Sequence, residues 1–474
     1  MPRRNLYPIV MVAAVSLLCW QATQGAKPKD EMMELYGVFV DAVEQVEANY
    51  VRPVDRRELL ESALKGMLQN LDPHSSYINT TEWKQFKRQI EGRFGGIGIQ
   101  VGMDPDANRL KVIAPMVGTP AYEAGVLAGD LIMEIDGQST EGMNPDKAVE
   151  VLTGRPGTAV KLTVLHEGTE KSETLSMTRA IIDVPSVLGD NRKSDDAWDF
   201  MLDKGNKIGY IRITSFIQNT TEELKKALDE LKAEGMKALI LDLRDNPGGL
   251  LGAAVEVSDL FVDEGLIVST KGRNTISKTY EAEKEGTCDD FPMVVLVNQN
   301  SASAAEIVSA CLQDHNRAVV VGQRSYGKGS VQNIIDLEDG KSVLKLTVAT
   351  YQRPSGKNIH RFKNAKDSDE WGVSPNPGME VKLTTSQYTS WLLARRDRDL
   401  ATVGRRHNEH GDQKDGVTKD EGNKPDTKDA GPKPREDNPA KEKEQANAKP
   451  FVDRQLDKAV EVIKEKLAAS MAKK

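Results

Sequence analysis

One continuous stretch, residues 292–332, constrains the fold more than any other part of the chain. Its β-branched run at 293–297 fits a strand that is buried on both faces. Apolar residues then recur at helical spacing from Ala304 to Leu312, and a second apolar strand is expected at 318–321. This alternation predicts an α/β sheet, and it places Ser303 at the point where the polar turn after a strand passes into the N-terminus of a helix.

Ser303 occupies a position that suits a nucleophile. The amide of Ala304 lies in the first turn of the expected helix, where it has no partner within the helix, and the positive end of the helix dipole stabilises negative charge. A serine hydroxyl also needs a base. Lys328 is the candidate, because Gly327 and Gly329 let the backbone bend the amine inward. The amine can serve only when neutral, and burial among apolar groups lowers the pKa of an ammonium.

Both residues also have ordinary structural interpretations. Ser303 and Glu306 fit S-x-x-E, a helix capping box in which the hydroxyl binds the backbone. Lys328 ends the segment GQRSYGK, which fits the first seven positions of a phosphate-binding P-loop, but the eighth is Gly329 instead of Ser or Thr. A nucleotide-binding lysine and a solvated loop lysine therefore remain as alternatives to a catalytic base.

Six segments in order resemble the carboxy-terminal processing proteases of the S41 family. They are LDPHSSYI (71–78), FGGIGIQV (94–101), AGDLIMEIDG (128–137), LRDNPGG (243–249), NQNSASAAEI (298–307) and GKGSVQ (327–332). The resemblance implies a serine peptidase with an embedded PDZ domain, in which Ser303 is the nucleophile, Lys328 the general base and Gln332 the residue that orients the lysine. It also implies oxyanion donors at the backbone amides of Gly249 and Ala304, and no metal or organic cofactor.

Gln332 can reach Lys328 only under one local geometry. Side chains four residues apart stand about 13 Å apart along an extended strand. On one helical turn the same positions are roughly 5–6 Å apart and can hydrogen-bond. We therefore expect a helical turn at 328–332, and an extended backbone there would remove Gln332 from the mechanism.

Residues 92–182 have the pattern of a β domain, with short strands separated by glycine. They resemble a PDZ module, a small β-sandwich or barrel, in which Gly96, Ile97, Gly98 and Ile99 form the carboxylate-binding loop. Glycines there free backbone amides to converge on a terminal carboxylate, and the edge strand that follows can pair with an extended peptide. The alternative is an ordinary tight turn.

The peptidase core is expected at 183–400. A strand at 207–214, an amphipathic helix at 221–234 and a strand at 238–243 form an α/β unit. Sites in such sheets collect at the carboxyl ends of the parallel strands, so LRDNPGG and VNQNS should converge. Gly248 and Gly249 then either direct an amide at the oxyanion or serve the turn geometry alone. The fold class is a multidomain combination of α+β and α/β.

The two ends of the chain predict targeting and tethering segments. Residues 1–26 carry Arg3 and Arg4, an apolar run and a small-residue stretch, which resembles a signal peptide, with an uncleaved membrane anchor as the alternative. Export to the periplasm or cell envelope follows. Residues 27–91 are helical with two apolar stripes, which either cap the main domain or form a homodimer contact. Residues 401–450 should be a disordered charged linker, and 451–474 a docking helix.

Composition excludes several function classes. A net charge of −8 and a pI near 5.6 argue against a nucleic-acid binder. The histidines show no H-E-x-x-H spacing, so a zinc peptidase is not expected. A nucleotide-dependent P-loop protein, in which Lys328 would bind phosphate, is one function that remains, and two others stand beside it. One is an exported serine endopeptidase that cuts protein substrates near C-terminal tails held by the PDZ domain. The other is a catalytically silent PDZ adaptor that binds envelope proteins.

Overall fold

The computed structural model describes residues 29–288, 290–400 and 451–472. These residues fall into two compact units. One unit contains the described residues up to Trp83 together with Gln332–Thr347, and the other contains Lys84–Val331 and the described residues from Val348 onward. The expected signal peptide at 1–26 and the expected linker at 401–450 lie outside the described residues and stay predictions.

The first unit begins with helices, as the apolar stripes predict. Its elements are α1 (Lys29–Asn49), α2 (Arg56–Gln69), β1 (Ser76–Ile78) and the start of α3 (Thr80–Glu91). The carboxylate of Asp55 caps α2 by accepting from the amides of Arg57 and Glu58. Helix α1 exposes many large apolar side chains: Met32, Met33, Leu35, Tyr36, Val38, Phe39, Val40 and Val46. These side chains are therefore available for contact with another surface.

The second unit opens with a small β domain. Its elements are β2 (Arg93–Gly96), β3 (Ile99–Asp104), β4 (Arg109–Pro115), α4 (Pro120–Glu123), β5 (Leu131–Ile135), β6 (Gln138–Ser139), α5 (Pro145–Leu152), β7 (Ala159–Leu165), β8 (Glu173–Thr178) and β9 (Ala180–Asp183). The main sheet has the order β3-β4-β5-β7-β8, with β6 against β5. No pairing among the described strands joins β3 to β8, so the sheet is open and the barrel alternative is wrong.

The peptidase core follows four short strands, β10 (Val187–Leu188), β11 (Asn191–Arg192), β12 (Trp198–Asp199) and β13 (Met201–Asp203). It consists of β14 (Ile208–Ile213), α6 (Thr220–Ala233), β15 (Ala238–Asp242), α7 (Leu251–Asp259), β16 (Gly265–Gly272), β17 (Thr279–Ala282), β18 (Met293–Val297), α8 (Ala304–Asp314) and β19 (Ala318–Gly322). Strands β14, β15, β18 and β19 are parallel neighbours in that order. The predicted α/β alternation is confirmed.

The last elements are β20 (Ser330–Leu337), a 3₁₀ turn (Glu338–Gly340), β21 (Ser342–Gln352), α9 (Thr385–Asp399) and α10 (Arg454–Ala472). Helix α10 confirms the docking helix expected at the C-terminus. Helix α9 and the antiparallel pair β16–β17 were not expected from the sequence.

Helices cover both faces of the parallel sheet. Because side chains alternate along a strand, Ile211 and Ile213 of β14 face the cluster formed with α6, α7 and α8. Ile208 and Tyr210 of the same strand face the opposite cluster, which α10 completes through Leu456, Ala459, Val462 and Ile463. Burial on both faces explains why these strands are continuous apolar runs.

Candidate active site

The loops that follow β15 and β18 meet at the carboxyl edge of the parallel sheet. The backbone amide of Ala302 donates to the carbonyl oxygen of Asn246 at 2.9 Å. Gly248 approaches Ser303 so closely that a methyl group at Gly248 would lie 2.7 Å from the Cβ of Ser303 and 2.9 Å from the amide nitrogen of Ala304. The predicted convergence of LRDNPGG and VNQNS is therefore confirmed.

Ser303 adopts a strained backbone conformation directly before α8. Its φ of 55° and ψ of −114° lie in a region that residues with a Cβ rarely occupy, at a cost of about 1–3 kcal/mol. The side chain is largely buried, with 8% of the residue exposed. A serine on a strained turn into a helix is the geometry in which α/β hydrolases present a nucleophile.

The fully buried carboxylate of Glu306 joins the loop of Ser303 to the loop of Lys328. One of its oxygens, Oε2, accepts from the backbone amides of Ser303 and Lys328, each at 2.8 Å. The other, Oε1, accepts from the hydroxyl of Ser325 at 2.5 Å and the amide of Gly327 at 2.6 Å. One carboxylate thus fixes the main chain at both residues that were expected to form the dyad.

The capping interpretation of Ser303 is also part of this arrangement. Ser303 and Glu306 form a capping box, yet the amide of Glu306 lies 2.9 Å from the carbonyl oxygen of Ser303. The hydroxyl is therefore not the only acceptor available to that amide. The sequence identified Glu306 only as a cap, because S-x-x-E records nothing about the distant loop that shares its carboxylate.

Burial raises the pKa of Glu306 to about 7, although the hydroxyl of Ser325 and the three amide donors favour the charged form. Loss of solvation is the larger effect, since a carboxylate in an apolar interior has no water to stabilise its charge. The donors can bind fully only to the ionised group, because an acid proton on either oxygen would face an N–H or O–H donor. The charge state of Glu306 is thus coupled to the geometry of both loops.

The glycines on either side of Lys328 are required by close packing. Gly327 has a φ of 87°, and a methyl group there would lie 2.7 Å from the Cβ of Arg361. A methyl group at Gly329 would lie 2.3 Å from the amide nitrogen of His360. Lys328 itself is half-buried. This packing and the bond from its amide to Glu306 define the path of the backbone through the lysine.

The helical turn expected at 328–332 is wrong. Residues Ser330–Leu337 form strand β20, which pairs with β21, and the side-chain amide of Gln332 donates to the hydroxyl of Thr347 at 3.3 Å. Pairing with β21, the next strand along the chain, replaces the helical turn that the role of Gln332 required. The assignment of Gln332 as the residue that orients the lysine loses that geometric basis.

Gly249 lies where only glycine fits. Its φ is 147°, and a methyl group there would lie 2.0 Å from the carbonyl oxygen of Phe216. Phe216 hydrogen-bonds to both sequence neighbours of Gly249. Its amide donates to the Gly248 carbonyl at 2.9 Å, and its carbonyl accepts from the Leu250 amide at 2.8 Å. These bonds fix the peptide units around Gly249. The packing around Gly249 thus explains why this position requires glycine. The oxyanion role of the Gly249 and Ala304 amides stays a prediction.

The expected carboxylate-binding loop connects β2 to β3. Gly96 ends β2, Ile97 is buried, Gly98 has a φ of 77°, and Ile99 begins β3, the edge strand of the PDZ sheet. The carbonyl of Ile97 accepts from the amide of Ala121 at 2.9 Å, which ties the loop to the start of α4. The four residues are thus arranged as a turn beside an open strand edge.

Within the part of the chain that the structure describes, no cluster of His, Cys, Asp and Glu side chains could hold a metal ion, and no helix has the length and apolar character needed to cross a membrane. Burial raises the pKa of the Cys311 thiol to about 12. That shift fits a core residue of α8 and opposes a role as a nucleophile.

Comparison with known proteins identifies the family. Models of peptidase family S41, a PDZ domain and the N-terminal domain of the activating protease CtpB match residues 207–375, 111–165 and 18–82. The carboxy-terminal-processing protease of Bartonella bacilliformis is 39% identical over 351 residues, which are 73% of this chain and 75% of that protein. CtpA of Bacillus subtilis is 38% identical over 322 residues, covering 68% of this chain and 66% of that protein.

Among solved structures, a photosystem II D1 C-terminal processing protease is 30% identical, covers 73% of this chain and 87% of its own, and has a TM-score of 0.40. The fold and the sequence matches define a serine peptidase that carries a PDZ domain. The chain belongs to the carboxy-terminal processing proteases of peptidase family S41. The resemblance stated from the six motifs is confirmed.

Proposed function

We propose that this chain is an exported endopeptidase that cleaves proteins near their C-termini with a dyad of Ser303 and Lys328. The observation that carries the proposal is the shared carboxylate of Glu306. Its Oε2 atom binds the amides of both residues at 2.8 Å, so their backbones lie on either side of one atom. Residues 303 and 328 are distant in sequence, and a shared acceptor for their backbone amides supports a dyad formed by their side chains.

The mechanism assigns one role to each group. Neutral Lys328 accepts the proton of the Ser303 hydroxyl, and the serine oxygen attacks the scissile carbonyl. The amides of Gly249 and Ala304 bind the oxyanion. Lys328 then protonates the leaving amine, and water hydrolyses the acyl-enzyme. Gln332 is not assigned a role in this mechanism, because β20 replaces the helical turn from which that role was argued.

The PDZ domain supplies substrate capture in this proposal. Gly96 and Gly98 have no side chains and the side chain of Ile97 is buried, which leaves the backbone of the β2–β3 turn accessible, and the edge of β3 can pair with an extended tail. A terminal carboxylate bound at this turn would direct the preceding peptide to the peptidase core. Cleavage near the C-terminus follows from capture of the terminus itself.

The proposal also includes export and self-association. Export, with either cleavage of residues 1–26 or their retention as an inner-membrane anchor, is supported by the charged start, the apolar run and the small residues of the sequence. Homodimerisation through the N-terminal helices is supported by the apolar stripe that α1 exposes.

The dyad is tested by Ser303→Ala and Lys328→Ala, each compared with the unchanged chain on an unfolded protein, with products identified by mass spectrometry. We expect both variants to keep the circular-dichroism spectrum and to lose cleavage by at least about a thousandfold, since nucleophile and base act as a unit. Cleavage retained by either variant would count against the dyad. An unchanged chain that binds C-terminal tails and cuts none would favour the adaptor alternative.

A further inference from the structure

The C-terminal helix does more than cover the sheet. After residues 401–450 the chain returns to the core, and α10 packs Leu456, Ala459 and Ile463 against the face opposite α8. At the start of the helix, Asp453 and Gln455 point into the interior, where 9% and 1% of these residues remain exposed. Buried polar groups at this point require a polar partner.

That partner is Arg244 of LRDNPGG. Its Nη1 atom donates to Asp453 Oδ1 at 2.9 Å and to Gln455 Oε1 at 3.2 Å, and its Nη2 atom donates to Asp453 Oδ2 at 3.0 Å. The Nε atom and the remaining Nη2 proton bind Asp242. A guanidinium has five N–H donors, and here the C-terminal segment accepts three of them.

The buried guanidinium of Arg244 binds a charged acceptor such as Asp453 better than a neutral one. Arg244 and Asp242 are almost fully buried. Burial alone would raise the pKa of the Asp242 carboxyl. The neighbouring guanidinium has the larger effect and holds that pKa below its usual value. The indole Nε1 of Trp391 donates to Asp453 Oδ2 at 3.1 Å. Removal of the Asp453 charge would leave two buried guanidinium donors facing a weaker acceptor.

Arg244 lies at the start of the loop that approaches the nucleophile. Two residues later, the side chain of Asn246 accepts from the Gly248 amide at 2.8 Å, and its carbonyl accepts from the Ala302 amide at 2.9 Å. A displacement of Arg244 is therefore passed to Gly248, which packs against Ser303, and to Gly249.

We infer that Asp453 is a positioning residue for the peptidase site, and that α10 delivers its carboxylate to Arg244 to hold the glycine loop against Ser303. The inference rests on the proposed function, because it assigns the loop to the oxyanion. In this arrangement the C-terminal segment is part of the active peptidase, and release of α10 from the sheet lowers the activity of the site.

The test uses the full chain with Asp453→Asn, which removes the charge and keeps the shape. The matched control is Asp457→Asn, the same change four residues along at an exposed position. We expect Asp453→Asn to lower kcat by about tenfold to a hundredfold with KM changed less than about threefold, because the loop is displaced and the substrate groove is not. Reactivity of Ser303 with a fluorophosphonate should fall in parallel. The control should keep both values.

Two further variants separate positioning from packing. Ile463→Ala weakens the apolar seat of α10, and it should lower the thermal midpoint while the folded enzyme keeps its kcat. Asp453→Glu keeps the charge and should recover part of the activity that Asp453→Asn loses. If Asp453→Asn does not fold, the inference is supported when Asp453→Glu has a lower kcat than Asp457→Glu. Equal kcat for Asp453→Asn and its control, or a loss explained by the unfolded fraction, overturns the inference. Cleavage that survives Ser303→Ala would instead overturn the proposed function.

Discussion

At the residue scale, Glu306 is the group on which most of the site geometry depends. It is completely buried and its two oxygens accept from four donors on two loops. Ser303 and Lys328 were predicted as candidates from their sequence neighbours, because a helix start and flanking glycines are local signals. Glu306 was predicted only as a cap, because the convergence of the 325–328 loop on α8 depends on packing between segments about 20 residues apart.

Glu306 predicts opposite pH trends for activity and stability. Burial raises its pKa to about 7 in the folded chain, from an ordinary value of about 4.5, so the folded state holds the proton more tightly. The free energy of unfolding should therefore fall as pH rises from about 4.5 to about 7, by up to about 3 kcal/mol from this group. Activity should rise over the same range, since only the carboxylate binds all its donors.

Glu306→Gln tests this coupling. The amide mimics the protonated acid by placing donors against backbone N–H groups, so kcat should fall by about tenfold to a hundredfold at pH 8. Denaturant unfolding of the variant should lose the pH dependence between 5 and 7. Glu256→Gln, at an exposed site on α7, should retain both the activity and the pH dependence of the unchanged chain. Identical pH profiles of stability for Glu306→Gln and the control would refute the assignment.

At the element scale, buried strands and their adjoining helices were predictable and the lysine segment was not. Strand β18 was expected at 293–297 and is found at Met293–Val297, because a β-branched run buried on both faces has few alternatives. The segment SVQNII has strand propensity. A helical turn was nevertheless expected there, because only that geometry would let Gln332 reach Lys328. Pairing of β20 with β21 decided the outcome, which shows that local pattern was the better guide there.

Helix α1 predicts a dimer contact. Leu35 and Val38 expose 66% and 65% of their surface, and Phe39 lies on the same side of the helix. A second copy would bury this stripe. We expect Leu35→Lys combined with Phe39→Lys to convert a dimer to a monomer in light scattering coupled to size exclusion, whereas Glu44→Lys on the same helix should not. A monomeric unchanged chain, or a dimer that survives the double substitution, would contradict this contact.

At the scale of the whole molecule, the proposed substrate capture and the proposed cleavage are assigned to regions of the second unit that have separate apolar cores. The PDZ sheet has its own apolar core, distinct from the two clusters on the faces of the peptidase sheet. Separate cores allow one region to change its binding without unfolding the other. Recognition of the tail and hydrolysis of the peptide bond should therefore respond to different substitutions.

Gly98 allows this separation to be tested. A methyl group there would lie 2.4 Å from the Cβ of Thr119, and its φ of 77° disfavours any side chain, so Gly98→Ala should distort the carboxylate loop. Gly118→Ala carries the same backbone penalty at a φ of 73° but meets no atom within 4 Å, which makes it the matched control. Each is assayed on a pair of peptides that differ only in a free or an amidated C-terminus.

The unchanged chain and Gly118→Ala should cleave the free-carboxylate peptide with a kcat/KM about tenfold higher, corresponding to about 1.4 kcal/mol of recognition. In Gly98→Ala the two peptides should be cleaved at nearly equal rates, because the loop that distinguishes them is displaced, while an active-site probe of Ser303 reacts as before. The four kcat/KM values, from two loop variants and two peptides, form a thermodynamic cycle. The cycle isolates the interaction between the loop and the terminal carboxylate from any general loss of stability. A carboxylate preference that persists in Gly98→Ala would assign tail recognition to another surface.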